Sequence, residues 1–541
     1  MPVYVGLDCS TQSLSAVAIE VGTARRRVLF EHTLSFDEAL PYYGTKKGVL
    51  PSTDPLVMTS SPLMWAEALD RMMGVIATNG GFELARLAAI SGSAQQHGSV
   101  YLHASATGVL ASLDPARPLV EQLAGSFTRD SSPVWMDAST SAQCTEISTA
   151  LGGDAALARL TGSRAFERFT GPQIRKFYRS EPRAYERTDR IHLVSSYLAS
   201  LLAGAHAPID PGDGAGMNLM DLRRARWADA ALDATAPGLR KKLPDLELPW
   251  TVIGRLAPYW VRRYGFPPSK VVVWSGDNPC SLIGAGIVRP GNVAISLGTS
   301  DTLFALMAEP RVDPAGTAHV FGAPTGDYMS LICFRNGSLA RERVRDAHGL
   351  DWDGFSRALR ETPAGNRGRI LIPWFEPEIT PTVLAPDVRR YGLEPDDAAA
   401  NVRAVVEAQM MAMAIHSTWT GNAVERIHAT GGAARNREIL QVMADVFAAP
   451  VYPLEAGNSA SLGAALRAAH ADALDSGHAP PWDDIVAGFA PLPDAALRPD
   501  PRNVEVYRAL RPVYAACEAH SLHGTPDPAL LLTAFRERQQ R

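Results

Sequence analysis

Cysteine is scarce in this chain: Cys9, Cys144, Cys280, Cys333 and Cys517 are scattered over 541 residues, odd in number and with no C-x-x-C pair. That scatter excludes a disulfide framework or a zinc knuckle and suits a reducing compartment, so a cytoplasmic protein is expected. Long apolar runs are missing too. No stretch approaches the ~20 apolar residues a spanning helix needs, and the opening Met1-Pro2-Val3-Tyr4-Val5-Gly6-Leu7-Asp8 lacks the basic and apolar regions of a secretory signal. No membrane partner is expected. Nor does charge of one sign dominate: 52 Lys and Arg stand against 57 Asp and Glu, a formal net charge of -5. No global positive field exists to gather nucleic acid.

What is present is the composition of an ordinary folded protein, 46% hydrophobic and 20% charged. The length exceeds what one core of roughly 100–200 residues supports, so at least two domains follow. The start reads as a buried strand Val3 to Leu7, a polar turn Asp8-Cys9-Ser10-Thr11-Gln12-Ser13, a strand through Val17 and Ile19, and a third strand from Arg27 to Leu34. A helix starts at Ser61-Pro62 with Trp65, Leu69, Met72, Met73 and Ile76 on one face, and a strand near Leu87–Ser91 leads into Gln95-Gln96-His97-Gly98. Residues from about 140 to 236 read as mostly helical.

Near residue 271 a strand runs into Ser275-Gly276-Asp277-Asn278-Pro279, where Pro279 fits the first position of a helix. Asn292 to Met307 then repeats the opening design of strand, polar turn and strand, a repeat of structure rather than of residues. Helical spacing returns at Val402–Met413, and a strand Arg426–Thr430 ends in Gly431-Gly432 before another helix. A helix from about Ser459 to His470 follows, and beyond Gly477 the chain is proline-rich with one helix near Val504–His520.

Phosphoryl transfer requires a protein to position a phosphate, supply a divalent cation and aim a hydroxyl. Four places match. Asp8 leaves a strand into a turn whose Ser10, Thr11 and backbone N–H groups could hold phosphate, though alone it could equally be capping a hairpin. Gly298-Thr299-Ser300-Asp301 offers the same device in the second half; alone it is only a turn. Gly431-Gly432 before a helix leaves room for a nucleotide against backbone, although a lone Gly-Gly is usually a loop. Asp277 stands where a carboxylate could accept a hydroxyl proton, or simply cap the next helix.

These pieces, in this order, resemble the FGGY family of carbohydrate kinases. The likeness runs over nearly the whole chain, through Tyr4-Val5-Gly6-Leu7-Asp8, Gln95-Gln96-His97-Gly98, Pro133-Val134-Trp135-Met136-Asp137, the Gly162–Gly171 segment, Gly276-Asp277-Asn278-Pro279, Ser296–Phe304 and Ala429-Thr430-Gly431-Gly432. The resemblance implies an α/β, two-lobed actin-like ATPase (ribonuclease H-like) fold with its active site in the interdomain cleft. It implies an N-terminal, sugar-binding domain over 1–289 that carries the catalytic base and a C-terminal, nucleotide-binding domain over 290–541.

Carried over by position, the resemblance makes Asp277 the general base and places His97, Arg168, Asp277, Asn278 and Trp135 around the sugar. It gives Asp8 to Mg²⁺, and Thr11, Gly298, Thr299, Trp352, Gly431, Gly432 and Asn436 to ATP. Taken singly, His97 reads as a satisfied structural histidine, Arg168 as a surface cation and Trp135 as a core side chain.

Within the family the Arg168 segment and the His97 motif resemble the branch that phosphorylates xylulose. D-xylulose and MgATP are then the expected small-molecule partners, with monomer and homodimer both open. The rivals are a kinase for another ketose or polyol and a non-catalytic, nucleotide-gated sugar sensor. The chain departs from many family members in one place: Ser10 stands where they have glycine.

Overall fold

Period-2 alternation decides the first sheet. In the strand Val3–Cys9, Val3, Val5 and Leu7 face one way and pack on Trp65, Leu69 and Met72 of the helix Pro62–Asn79. Tyr4 faces the other way, among Ala465, Leu466 and Ala469 of the helix Ser459–Asp475. A strand covered on both faces must be apolar throughout, which is why the segment reads as a continuous run.

The computed structural model describes residues 1–22, 26–454, 457–489 and 496–540. Two compact units emerge, the first comprising Met1–Val288, Val320–Met329 and Gly457–Pro491, the second Arg289–His319, Ser330–Ala456 and Leu492–Arg541. The chain first crosses between the units at Val288/Arg289 and later crosses back more than once. The helix Ser459–Asp475 belongs to the first unit because its small residues allow close packing there. A Cβ on Gly463 would lie 1.8 Å from Cys280 O, and one on Gly6 would lie 1.9 Å from Ser461 O.

In the first unit the sheet order is Val252–Arg255, Lys270–Val272, Leu87–Ala94, Val3–Cys9, Ser13–Val21, Arg26–Ser35. Val3–Cys9 is antiparallel to Ser13–Val21 and parallel to Leu87–Ala94. The second unit repeats this. Asn292–Leu297 is antiparallel to Asp301–Met307 and parallel to Arg426–Thr430, which is parallel to Val451–Pro453. The faint repeat read from the sequence is thus a repeat of strand order and direction.

Residues 140–236 are largely helical, as expected, but the strand Thr188–Leu193 interrupts them and pairs with Ser99–His103. Two boundaries differ from the sequence reading. The helix after the strand Ser275–Gly276 is Asp277–Gly284, so Asp277 rather than Pro279 is its first residue. Proline is tolerated throughout a first turn because those N–H groups have no intrahelical partner. The C-terminal stretch, of which 490–495 lie outside the described residues, forms Trp482–Val486, Pro501–His523 and Ala529–Gln540 instead of one helix. The helix expected near Val504–His520 is the long one, with Pro512 on its exposed side, while Tyr507, Leu510, Tyr514 and Cys517 join the second core.

Candidate active site

Strand ends gather the first cluster. Parallel register sets Asp8 beside Ser93, and the Ser93 hydroxyl donates to Asp8 Oδ1 at 2.7 Å. Burial raises the Asp8 pKa from 3.8 to about 6, with that hydroxyl opposing. The turn beyond is closed by Ser10, whose N–H donates to Ser13 O at 2.9 Å and whose Oγ accepts from Ser13 N at 3.2 Å. Serine in place of glycine therefore works here by bonding. Thr11 Oγ1 accepts from Trp135 Nε1 at 2.8 Å, and Trp135 is 41% exposed, so it is no core side chain.

Asp277 opens its helix with Gly276 as N-cap. Asn278 donates to Asp277 Oδ1 from its backbone at 2.8 Å and from Nδ2 at 3.1 Å, and Nδ2 also donates to Gln96 Oε1 at 2.8 Å. Burial first, then the charge of Asp8, raises the Asp277 pKa to about 7, against N–H groups of Asn278 and Gln96 that favour the anion.

His97, next to Gln96, is buried at φ 73 and lies with Nδ1 2.8 Å from Gly216 O. A carbonyl only accepts, so Nδ1 carries the proton and Nε2 is left as an acceptor. Burial, then the Arg168 charge, lowers the His97 pKa to about 3 and keeps the ring neutral. That ring sits 4.4 Å from Phe169. Arg168 is half-buried over the Phe166 ring at 6.0 Å and forms no ion pair among the described residues. The first unit thus joins a carboxylate near its midpoint, an amide pair, a neutral imidazole and a guanidinium.

The second unit holds a cavity of about 800 Å³ whose lining includes Gly298, Thr299, Trp352, Gly432 and Asn436, five of the residues expected at the nucleotide. Thr299 is exposed at its turn, whereas Asp301 is turned away and held by Arg341 at 2.8 and 3.0 Å. Gly431 is exposed and is not among the lining residues; its φ is 88, and a Cβ there would come 2.5 Å from Leu297 O. At Gly432 a Cβ would meet open space.

Asn436 caps the helix Arg437–Phe447 by accepting from Glu438 N and Ile439 N, and its Nδ2 donates to Ser356 Oγ at 2.9 Å. Thr11, also expected at the nucleotide, belongs to the first unit and is bonded to Trp135 instead of lining this cavity.

Three further residues belong with these groups. Gln96 lies inside a motif the sequence offered but had no part there. Ser356 and Arg360 also line the cavity; their spacing of four from Trp352 on the helix Trp352–Glu361 was a legible signal.

Two partly buried carboxylates, Asp8 and Asp277, of which the first raises the pKa of the second, form an environment that a divalent cation relieves. Among the described residues no cluster of three or more metal-ligating side chains occurs. Mg²⁺ binds through one or two carboxylates together with substrate phosphates, a donor set to which the Asp8 carboxylate can contribute. Among the described residues no helix is long and apolar enough to cross a membrane.

The N-terminal domain of the FGGY family of carbohydrate kinases matches residues 131–284 and the C-terminal domain matches 293–471. The chain is 44% identical to the xylulose kinase of Mus musculus over 536 residues, 97% of this chain and 95% of that protein. It is 43% identical to xylulose kinase 2 of Arabidopsis thaliana over 491 residues, 86% of this chain and 87% of that one. The crystal structure of xylulose kinase from Rhodospirillum rubrum matches with a TM-score of 0.79 at 21% identity, covering 96% of this chain and 99% of that chain. The actin-like α/β class read from the motifs is borne out by that likeness of fold.

Proposed function

The chain belongs to the FGGY family of carbohydrate kinases, and from that premise we propose that it phosphorylates D-xylulose with ATP, giving D-xylulose 5-phosphate and ADP. The observation that carries the reading is the state of Asp277: a partly buried carboxylate with a pKa near 7, bonded into the Asn278–Gln96 pair beside a neutral His97. A general base works best when its pKa lies near the working pH.

In this reading the terminal hydroxyl of the ketose gives its proton to Asp277 as its oxygen bonds to the γ-phosphorus, and the bond from that phosphorus to the bridging oxygen of ADP breaks. His97 Nε2 accepts from one sugar hydroxyl, Arg168 donates to a sugar oxygen, and the Asn278 side chain helps hold the sugar beside the base. The exposed ring of Trp135 offers a flat surface for the carbon face of the sugar. On the second unit Trp352, Gly431, Gly432 and Asn436 hold the nucleoside, while Gly298 and Thr299 receive phosphate oxygens; on the first unit Thr11 offers its hydroxyl to phosphate. Asp8 would hold Mg²⁺, which when bound would supply charge neutralisation to the phosphates. The first unit is thus assigned the sugar and the second the nucleotide. We place the enzyme in the cytoplasm as a monomer or homodimer, in keeping with its scattered thiols.

The test is ADP release from MgATP across a panel of ketoses and polyols, with the product identified by mass and position of phosphate. D-xylulose should give the highest kcat/KM, and Asp277→Asn should lower kcat by roughly 10²–10⁴-fold while ATP still binds. Equal kcat/KM for several sugars removes the substrate assignment. Absence of sugar-dependent ATP consumption turns the reading to a nucleotide-gated sensor.

A further inference from the structure

The proposed base rests on a support that sequence distance conceals. Arg467, on the helix Ser459–Asp475, is 1% exposed. Its Nη2 donates to Asp210 Oδ2 at 3.2 Å, Pro249 O at 2.9 Å and Val273 O at 3.1 Å. Its Nη1 donates to Gly92 O at 3.4 Å and to Cys280 Sγ at 3.5 Å. These partners bracket Asp277. Val273 lies just ahead of the strand Ser275–Gly276, and Cys280 lies one turn into the Asp277 helix. Gly92 adjoins Ser93, the donor to Asp8. Asp210 extends the constraint, since its Oδ1 accepts from Ser275 Oγ at 2.9 Å and from Asp213 N at 2.9 Å.

Stability alone does not explain an ion pair in this place. Removing a guanidinium and a carboxylate from water costs several kcal/mol per ion, and well-packed apolar replacements are often as stable. What an apolar side chain cannot do is fix the direction of several acceptors at once, which the rigid, planar fork of arginine does. The helix that carries Arg467 is itself pressed backbone to backbone against the Asp277 helix: a Cβ on Gly284 would lie 1.9 Å from Ser459 O.

We infer that Arg467 is a positioning residue for Asp277, acting through Asp210 and Ser275 to fix the spacing of the Asp277 and Asp8 carboxylates. The inference rests on the reading of Asp277 as the base. A displacement of about 1 Å at a reacting group costs on the order of 10²-fold in rate.

The test uses the full chain with MgATP and D-xylulose. Arg467→Lys keeps the charge but replaces the fork with a point donor, so kcat falls about 10²-fold while KM for both substrates stays within about twofold. Ser275→Ala keeps the Arg467–Asp210 pair and cuts only its link to the base, lowering kcat about tenfold, the worth of one hydrogen bond near 1.4 kcal/mol. In an Asp277→Asn background neither change lowers the residual rate further, because a base already removed cannot be misplaced.

A folded Arg467→Lys with wild-type kcat overturns the inference, as does a raised KM at unchanged kcat or an additive loss in the Asp277→Asn background. Should Arg467→Lys fail to fold, Ser275→Ala decides by the same criteria. Failure of the underlying reading shows itself separately, as an Asp277→Asn enzyme with undiminished kcat.

Discussion

Asp277 holds its negative charge against its surroundings, and both activity and stability should report that. Its pKa is raised from 3.8 to about 7, by burial and then by Asp8. Acting as a base it must be ionised, so kcat/KM should fall as pH drops through about 7, approaching roughly tenfold per pH unit on the acid side. Asp8→Asn removes the neighbouring charge, so the acid limb should move to lower pH whatever happens to the maximal rate. Stability carries the opposite sign. Between 3.8 and about 7 the folded state binds more protons at Asp277 than the unfolded chain does, so this group's contribution to stability is lost as pH rises through that window. Asn at 277 bears no charge at any pH. Thermal melts of Asp277→Asn should therefore match or exceed wild type at pH 8, with the difference closing toward pH 5, and a lower Tm at pH 8 would contradict the burial assigned to this carboxylate.

The helix Ser459–Asp475 shows what a one-dimensional pattern conveys and what it leaves out. The sequence reads as a helix from about Ser459 to His470, without showing the surface that buries it. Nothing local singles out Arg467, because its acceptors lie 187 to 375 residues away. The strands around Asp8 and Gly298, by contrast, were legible because alternation and turn chemistry are local. Asp277 was legible as a site and misread as an element: Pro279 drew the helix start two residues too late. Gly463 tests the packing. A Cβ there would fall 1.8 Å from Cys280 O, a backbone atom that cannot rotate aside. Gly463→Ala should cost about 1–3 kcal/mol, the usual toll of overpacking, read from urea denaturation. It should also lower kcat, since the Asp277 helix must shift with its neighbour. Wild-type stability in this variant would mean the two backbones are not held so close.

Each unit of the whole molecule is built on the same plan: a hairpin with a polar turn beside the end of a parallel strand. In the first, the strand end supplies Ser93 and then Gln96 and His97; in the second, it supplies Thr430 and the two glycines. In the proposed reading, that duplicated plan gives one chain a sugar site and a nucleotide site, and it makes the two binding functions separable by mutation. Trp352, 41% exposed at the rim of the cavity and covered on one side by Arg345 at 4.6 Å, offers a ring surface to a base. A stacked base is worth about 1–3 kcal/mol, so Trp352→Ala should weaken ADP binding roughly 5- to 150-fold. Gly432→Val, which projects two methyl groups into open space at the cavity wall, should do so as well. Calorimetric titration with ADP alone should find the affinity of His97→Ala unchanged while its KM for D-xylulose rises, because the imidazole and the cavity belong to different units. If His97→Ala weakened ADP as much as the sugar, the two cradles would be one coupled site and the division of labour between the units would have to be abandoned.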